Sequence, residues 1–402
     1  MAVIVQKYGG TSVGDADRIR AVARRVARTR LAGNEVVVVV SAMGHTTDQF
    51  VDLSRQVSPN EHPREMDMLL TAGERISMAL LAMAIRDLGV EAVSLTGSQA
   101  GIITNTIHGR AEIEQVRAFR VKDHLAKGDV VIVAGFQGVS DAGKEITTLG
   151  RGGSDATAVA MASYLEADAC EIYTDVDGVF TADPRVVPDA RKLAEVSFEE
   201  MAELAAYGAR VLMLRSVEMG RRWRVPLHVR SSFHEGEGTW VRQEVAGAPA
   251  LVGIAHDPTA VLVTLPTVAG AGGSPLLESA VAGAGLAPRL VGAGPDGVGV
   301  TVAEEQAAAA AAAVGPVAAT LGAGEITVNQ AVGEVSVVGA LLRSDPEWAG
   351  RVSQILSGGG IPVLLSAGSA IRASCVVPGE RLDEAVRLLH GRLFADPPKE
   401  EP

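Results

Sequence analysis

Three short segments combine glycine with charged side chains in patterns that could do chemistry. They are Lys7-Tyr8-Gly9-Gly10-Thr11-Ser12, Thr148-Leu149-Gly150-Arg151-Gly152-Gly153-Ser154-Asp155, and Tyr173-Thr174-Asp175-Val176-Asp177-Gly178-Val179-Phe180-Thr181-Ala182-Asp183-Pro184-Arg185. Gly9 and Gly10 follow an apolar run, so their N–H groups can approach an anion without a Cβ in the way, and Lys7 sets a point charge beside them. Gly152-Gly153 lead into a helical pattern whose N-terminus is a partial positive pole, and Arg151 adds a planar fork suited to a carboxylate. Each segment also has a purely structural reading. Gly9-Gly10 can be a tight turn, Ser154 or Asp155 a helix N-cap, and Asp177-Gly178 the corner of a β-turn in an acidic loop.

The two cationic cradles stand out because the chain carries a net charge of −12. It has no dense Lys/Arg stripe, so no nucleic-acid partner is expected. GxxxxGK[ST] is absent, as are the HRD and DFG sets, which excludes a Walker P-loop and protein-kinase machinery. The histidines show no spacing such as HExxH; no metal site is expected, and His45 and His108 read as loop residues without a catalytic role. Cys170 and Cys375 are too few for a disulfide framework, and Cys170 reads as a small core hydrophobe. No leader-like segment opens the chain, and no uninterrupted apolar stretch reaches membrane-spanning length. A soluble, cytoplasmic protein with no membrane partner is the expectation.

The elements that must hold these segments follow from periodicity. Val3–Gln6, Val36–Val40, Val130–Val133 and Glu171–Tyr173 read as buried strands, each followed by a loop bearing glycine or aspartate. Ile19, Val22 and Val26 are spaced for one face of a helix. Strand–loop–helix alternation over residues 1–240 implies right-handed βαβ units, an α/β fold with a mostly parallel central sheet. In such sheets ligands gather beyond the carboxyl ends of the strands, where all three segments lie. From about residue 250 the texture changes. Val263 to Gly285 and on to Val300 matches Val337 to Gly360 and on to Cys375 in spacing, which predicts two ferredoxin-like βαββαβ copies over 250–330 and 331–395. The first is degenerate, with glycine-rich loops at Ala269–Gly273 and Gly292–Gly299. The helix Phe198–Gly208, with Glu199, Glu200 and Glu203, reads as a solvated charged face, and 396–402 as a frayed tail.

With these segments in view the chain resembles the amino-acid kinase family, in its aspartokinase form. Further matching stretches are Ser41-Ala42-Met43-Gly44 with Thr46-Thr47, Leu70-Thr71-Ala72-Gly73-Glu74-Arg75, Gly97-Ser98-Gln99-Ala100 and Gly135-Phe136-Gln137-Gly138. The resemblance implies a three-layer kinase domain followed by paired ACT domains. It implies ATP with Mg²⁺ as phosphoryl donor and L-aspartate as acceptor, and self-association through the ACT domains. Residue by residue, it assigns Lys7 to the transferring phosphoryl group and Asp155 to organising Lys7, with Gly9 and Gly10 as the phosphate cradle. Ser41 and Thr47 would line the meeting point of the substrates. Glu74 would face the aspartate ammonium and Arg151 its α-carboxylate, with Gly152 and Ser154 nearby. Thr174, Asp175, Phe180 and Arg185 match nucleotide contacts, and Arg210 stands where the family usually has Lys. The implied chemistry is coherent: a carboxylate with a pKa near ~4 is already a nucleophile at neutral pH and needs positioning, not a general base.

The regulatory half departs from the family. Leu286-Ala287-Pro288-Arg289-Leu290-Val291-Gly292-Ala293 stands where family members carry an Asp and a Gln-Asn pair suited to amino-acid capture. Val363–Ile371 keeps more of the expected shape, with Ala370 in place of a usual Glu. Weakened feedback by lysine or threonine is therefore expected. The rival readings are a kinase for another small carboxylate and a non-catalytic amino-acid sensor.

Overall fold

The computed structural model describes residues 1–60, 62–245, 250–266, 274–321, 323–344 and 347–394. The chain forms two compact units. The first comprises Met1–Val179, Ala194–Phe198 and Val211–Val245, and the second Phe180–Leu193, Glu199–Arg210 and Ala246–Pro402.

The strands of the first unit are β1 (Val3–Tyr8), β2 (Glu35–Val40), β3 (Ala92–Leu95), β4 (Ile102–Thr104), β5 (Ile113–Val116), β6 (Val130–Ala134), β7 (Gln137–Ser140), β8 (Ile146–Thr148), β9 (Ala169–Thr174), β10 (Glu195–Ser197), β11 (Leu227–Ser231) and β12 (Thr239–Arg242). Its helices are α1 (Ala16–Leu31), α2 (Thr46–Val57), α3 (Pro63–Leu70), α4 (Ala72–Arg86), α5 (Phe119–Ala126) and α6 (Gly153–Leu165), then α7 (Phe198–Ala206), which runs into the second unit, and α8 (Leu214–Trp223). The main sheet has the order β10-β12-β11-β9-β1-β2-β6-β3 and is parallel except at β11–β12. The chain builds outward from β1 on one side, then returns to β9 on its other side, so β1 lies at the point where the strand order reverses.

Val36 to Val40 are fully buried, and pleating sends alternate side chains to opposite layers. Val36, Val38 and Val40 pack with Ile19, Val22 and Val26 of α1 and with Leu81 and Ile85 of α4. Helix α6 packs on β1, β2, β9 and α8. Its residues Gly153 to Ala162 are all buried, as expected of a helix that is apolar all round. The three layers are helix, sheet, helix. Strands β5-β4-β7-β8 form a separate small sheet that delivers Thr148 to the turn before α6.

Pro63–Arg86 spans 24 residues and contains a window of mean hydropathy 1.5, long and apolar enough to cross a membrane by length and composition alone, although Arg64, Glu65, Asp67, Glu74 and Arg75 interrupt it. Gly73, Glu74, Ser77, Met78, Leu81, Ala82 and Ile85 are nevertheless buried within the unit, so its apolar face is spent on the core.

In the second unit, β13 (Gly253–Asp257), β14 (Ala260–Leu265), β15 (Leu290–Gly294), β16 (Gly297–Ala303), β17 (Thr327–Asn329), β18 (Val332–Val338), β19 (Leu365–Gly368) and β20 (Arg372–Pro378) form one sheet, ordered β13-β18-β20-β19-β15-β16-β14-β17. Helices α9 (Ser274–Gly283), α10 (Ala307–Leu321), α11 (Trp348–Gly358) and α12 (Leu382–Leu393) complete it. The first copy supplies all four of its strands in sequence. The second borrows β13, which precedes the first copy and pairs antiparallel with β18. The copies therefore interlock, and β15 meets β19 at Ala293↔Ser366 to join them. Gly292–Gly299 is mostly strand; a Cβ on Gly292 or Gly294 would lie 2.3 Å from Ser366 O or 1.9 Å from Leu364 O, so the two backbones touch there. The loop Ala269–Gly273 extends over residues outside those described, as does the tail 396–402.

The acidic run of α7 is not a solvated face. Glu199 pairs with Arg343, Glu203 accepts from Arg372 Nε at 2.8 Å, and Glu200 is buried.

Candidate active site

Parallel pairing puts the loops after β1, β2, β6 and β9 at one rim of the sheet. Lys7 stands in register with Val39 and Ile172, and its Nζ lies 2.6 Å from Asp155 Oδ1 in the first turn of α6. Both side chains are largely buried, so each charge depends on the other. Next along the chain, Gly9 N–H donates to Tyr173 O at 3.4 Å. A Cβ on Gly10 would sit 2.9 Å from Ala42 O, and Gly44 N–H donates to Gly10 O at 3.0 Å. Only glycine lets the loops after β1 and β2 press together in this way.

Ser41 continues β2 through its N–H bond to Tyr8 O at 3.1 Å, and Thr47 lies in the first turn of α2. Glu74, in the first turn of α4, accepts from Ala42 N–H through Oε1 at 3.1 Å. Its Oε2 is buried without a hydrogen-bond partner, and burial pushes the carboxyl up to about 7. A buried, half-satisfied carboxyl beside two glycine-rich loops is a ready receptor for an ammonium group. Ser154 sits at the end of β6, where a Cβ on Gly135 would meet its Oγ at 2.8 Å. Gly152 precedes α6 with φ +73°, so the chain turns sharply from β8 into the helix and aims the helix N-terminus at the rim. Arg151 projects from that turn, exposed and without an ion pair among the described residues.

On the other side of β1, Thr174 ends β9 and donates through Oγ1 to Asp175 Oδ1 at 3.1 Å. Ser232 N–H donates to Thr174 O at 2.8 Å. The motif reading missed Ser232, whose Oγ lies 2.5 Å from Ser12 Oγ and ties the first loop to the end of β11. It also missed the stacked pair Tyr8–Tyr173, 4.7 Å between centroids, with Arg25 over the Tyr173 ring. Nothing in a linear pattern announces either contact, because each joins distant strands. Lys7, Gly9, Gly10, Ser41, Thr47, Glu74, Arg151, Gly152, Ser154, Asp155, Thr174 and Asp175 all lie in the first unit. Phe180, Arg185 and Arg210 belong to the second unit. There Phe180 bridges to Lys192, Arg185 pairs with Asp183 at 2.7 Å, and Arg210 lies 3.9 Å from Asp257. A separate cavity of about 340 Å³, lined by Ile19, Leu80 and Met83, shares only Met43 with the motif loops.

Chemically, the rim offers a lysine, a glycine turn that an anion can approach and a helix N-terminus, beside a carboxyl and an arginine suited to the two ends of an amino acid.

Comparison with known proteins gives a consistent picture. Residues 2–231 match the model of the amino acid kinase family, and 335–393 that of an ACT domain. The chain is 50% identical to the aspartokinase of Mycolicibacterium smegmatis, over 97% of this chain and 96% of that one. It is 45% identical to the aspartokinase of Corynebacterium glutamicum, again over 97% and 96%. Among solved structures it is similar to E. coli aspartokinase III in complex with aspartate and ADP (R-state), with TM-score 0.78 and 26% identity over 98% of this chain and 100% of that one. The lysine and aspartate complex of the same enzyme (T-state) gives a TM-score of 0.75 at 25% identity, over 98% and 99%.

Proposed function

The chain belongs to the aspartokinases of the amino acid kinase family and phosphorylates the side-chain carboxylate of L-aspartate with ATP, and we propose that the residues around Lys7 divide that work as follows. Lys7, held by Asp155, neutralises charge on the γ-phosphoryl as it leaves ADP for the carboxylate oxygen. The Gly9-Gly10 turn, whose lack of Cβ atoms lets the backbone approach an anion, cradles the phosphates, and Thr174 and Asp175 bound the nucleotide side. Glu74 takes the ammonium and Arg151 the α-carboxylate, while Ser41, Thr47, Gly152 and Ser154 border the meeting point of the substrates. No general base is required, since the acceptor carboxylate is ionised at neutral pH. Catalysis then rests on alignment and charge neutralisation.

The observation that carries this reading is the 2.6 Å contact between Lys7 and Asp155 beside the glycine pair at the carboxyl rim. Mg²⁺ fits as a passenger on the triphosphate, its oxygen ligands supplied by phosphate and water. A cytoplasmic location agrees with the two free, buried cysteines. Self-association through the second unit agrees with the exposed edge strand β17. Feedback by lysine or threonine is proposed to be weak.

Trapping the acyl phosphate with hydroxylamine tests the assignment. Aspartate and ATP should give the hydroxamate, glutamate should not, and Lys7→Ala should reduce its rate by at least ~100-fold. A native rate in Lys7→Ala removes Lys7 from the transfer, and equal rates with glutamate restore the reading of a kinase for another carboxylate.

A further inference from the structure

Asp67 is wholly buried in α3 and belongs to none of the contacts assigned above. Its Oδ1 accepts from Thr148 Oγ1 at 2.5 Å and Gly109 N–H at 3.1 Å, and its Oδ2 lies 2.6 Å from His108 Nδ1. A carboxylate persists out of water only where donors replace its hydration, and here two segments supply them, the loop between β4 and β5 and the end of β8. His108, read from sequence as an idle loop residue, is one of those partners.

The ends of this clasp lead directly to the two residues proposed to hold the amino acid. On one side, Thr71 N–H donates to Asp67 O at 3.2 Å, and Thr71 opens α4, whose first turn carries Glu74. On the other, Thr148 closes β8 three residues before Arg151. The loop between β4 and β5 is locked to the same point, since Ala111 N–H donates to Thr148 O at 2.8 Å. That loop also backs the turn, because a Cβ on Gly150 would lie 3.1 Å from Gly109 O. Arg215 braces the turn separately through Leu149 O at 3.0 Å, so Asp67 sets its position without being its sole support.

We propose that Asp67 is a positioning residue for the amino-acid substrate, fixing the spacing between the helix that carries Glu74 and the turn that carries Arg151. The proposal rests on the reading that these two side chains hold aspartate. Ammonium and α-carboxylate branch from one carbon, so the substrate cannot stretch to follow its partners, and an error of an ångström between them is felt in full. Asparagine at position 67 keeps the shape but removes the charge that strengthens these bonds and leaves one acceptor oxygen where there were two, its NH₂ group being accepted at His108 Nδ1 only when that nitrogen carries no proton.

Initial-rate kinetics on the full chain test this. Asp67→Asn should raise KM for aspartate ~10- to 100-fold while KM for ATP stays within about twofold. Thr148→Val should act in the same direction, and Thr148→Ser, which keeps the hydroxyl, should restore the native value. If Asp67→Asn fails to fold, the Val/Ser pair at 148 decides by the same readout. An unchanged KM for aspartate, or equal rises in both KM values, overturns the proposal. Arg151→Ala and Glu74→Gln are measured alongside. If they raise KM for aspartate and the clasp variants do not, only the clasp falls. If they too leave it unmoved, the underlying reading of the site falls as well.

Discussion

Glu74 shows how burial alone can prepare a side chain for its partner. With one oxygen bonded to Ala42 N–H and the other without a hydrogen-bond partner, the carboxyl has little to replace water, and desolvation outweighs the backbone N–H groups and pushes it up from 4.5 to about 7. Between those values the native state holds a proton that the unfolded chain has released. The stabilisation this represents is fully present below pH 4.5 and is lost as pH rises through about 7. It amounts to at most on the order of 3 kcal/mol. In the proposed role, an ammonium group arriving beside Glu74 acts the opposite way, favouring the carboxylate, so aspartate binding would expel the proton. KM for aspartate should therefore fall between about pH 6 and about pH 8, by less than about tenfold per pH unit. Glu74→Gln should flatten that dependence and raise KM at the alkaline end, with KM for ATP as the internal control. A KM for aspartate that is flat in the native chain would remove Glu74 as the ammonium partner. The residue type was legible in the motif Leu70–Arg75, whereas the environment that tunes it exists only once α4 has docked beside the loop after β2.

At the scale of elements, the junction between β8 and α6 is the most demanding piece of backbone in the site. Gly152 has φ +73°, and a Cβ there would stand 2.6 Å from Met213 Cγ. Alanine in this conformation costs roughly 1–2 kcal/mol; Met213 can yield part of the clash because its thioether chain is adaptable. Gly152→Ala should thus lower the unfolding temperature by only a few degrees. Its effect on kcat/KM for aspartate should be larger than that stability loss implies, since the N–H groups opening α6 rotate with the turn. Thermal unfolding followed in parallel with kinetics checks this, and a loss of activity no greater than the loss of folded protein refutes it. This junction was visible in sequence because Gly150–Gly153 follows one periodic pattern and precedes another. The strand Val36–Val40 and the helix face Ile19-Val22-Val26 were legible for the same reason: their side chains are sorted by burial against a sheet. The acidic run Glu199, Glu200 and Glu203 misled, because Arg343 and Arg372, which partner two of these, lie more than a hundred residues away in the chain. Strand β13 was hidden too, since it completes a copy that begins only at Val332.

At the scale of the whole molecule, the second unit has spent on its own cohesion the positions that relatives are expected to use for amino-acid capture. Arg289 pairs with Asp257 and donates to Ala206 O at 3.3 Å, while its carbonyl accepts from Tyr207 O–H at 2.7 Å. Gly292 and Gly294 lie where β15 runs against the second copy, and their missing side chains are what allows that approach. Along this stretch Arg289 is already paired, and Gly292 and Gly294 have no side chain to offer an effector. The degeneracy read from sequence as lost function is, in the fold, a seam between two interlocked copies. Turnover of ATP and aspartate should accordingly change by less than about twofold when lysine and threonine are added together at millimolar concentration, a coupling below the ~1 kcal/mol at which allostery becomes useful. The unfolding temperature should be equally indifferent to the two amino acids, since a ligand that binds only the native state must raise it. A rise in that temperature without inhibition would mean that binding survives and only its coupling to activity is gone. Strong inhibition would place an effector site elsewhere in the sheet, where Val363–Ile371 of the second copy keeps more of the expected shape.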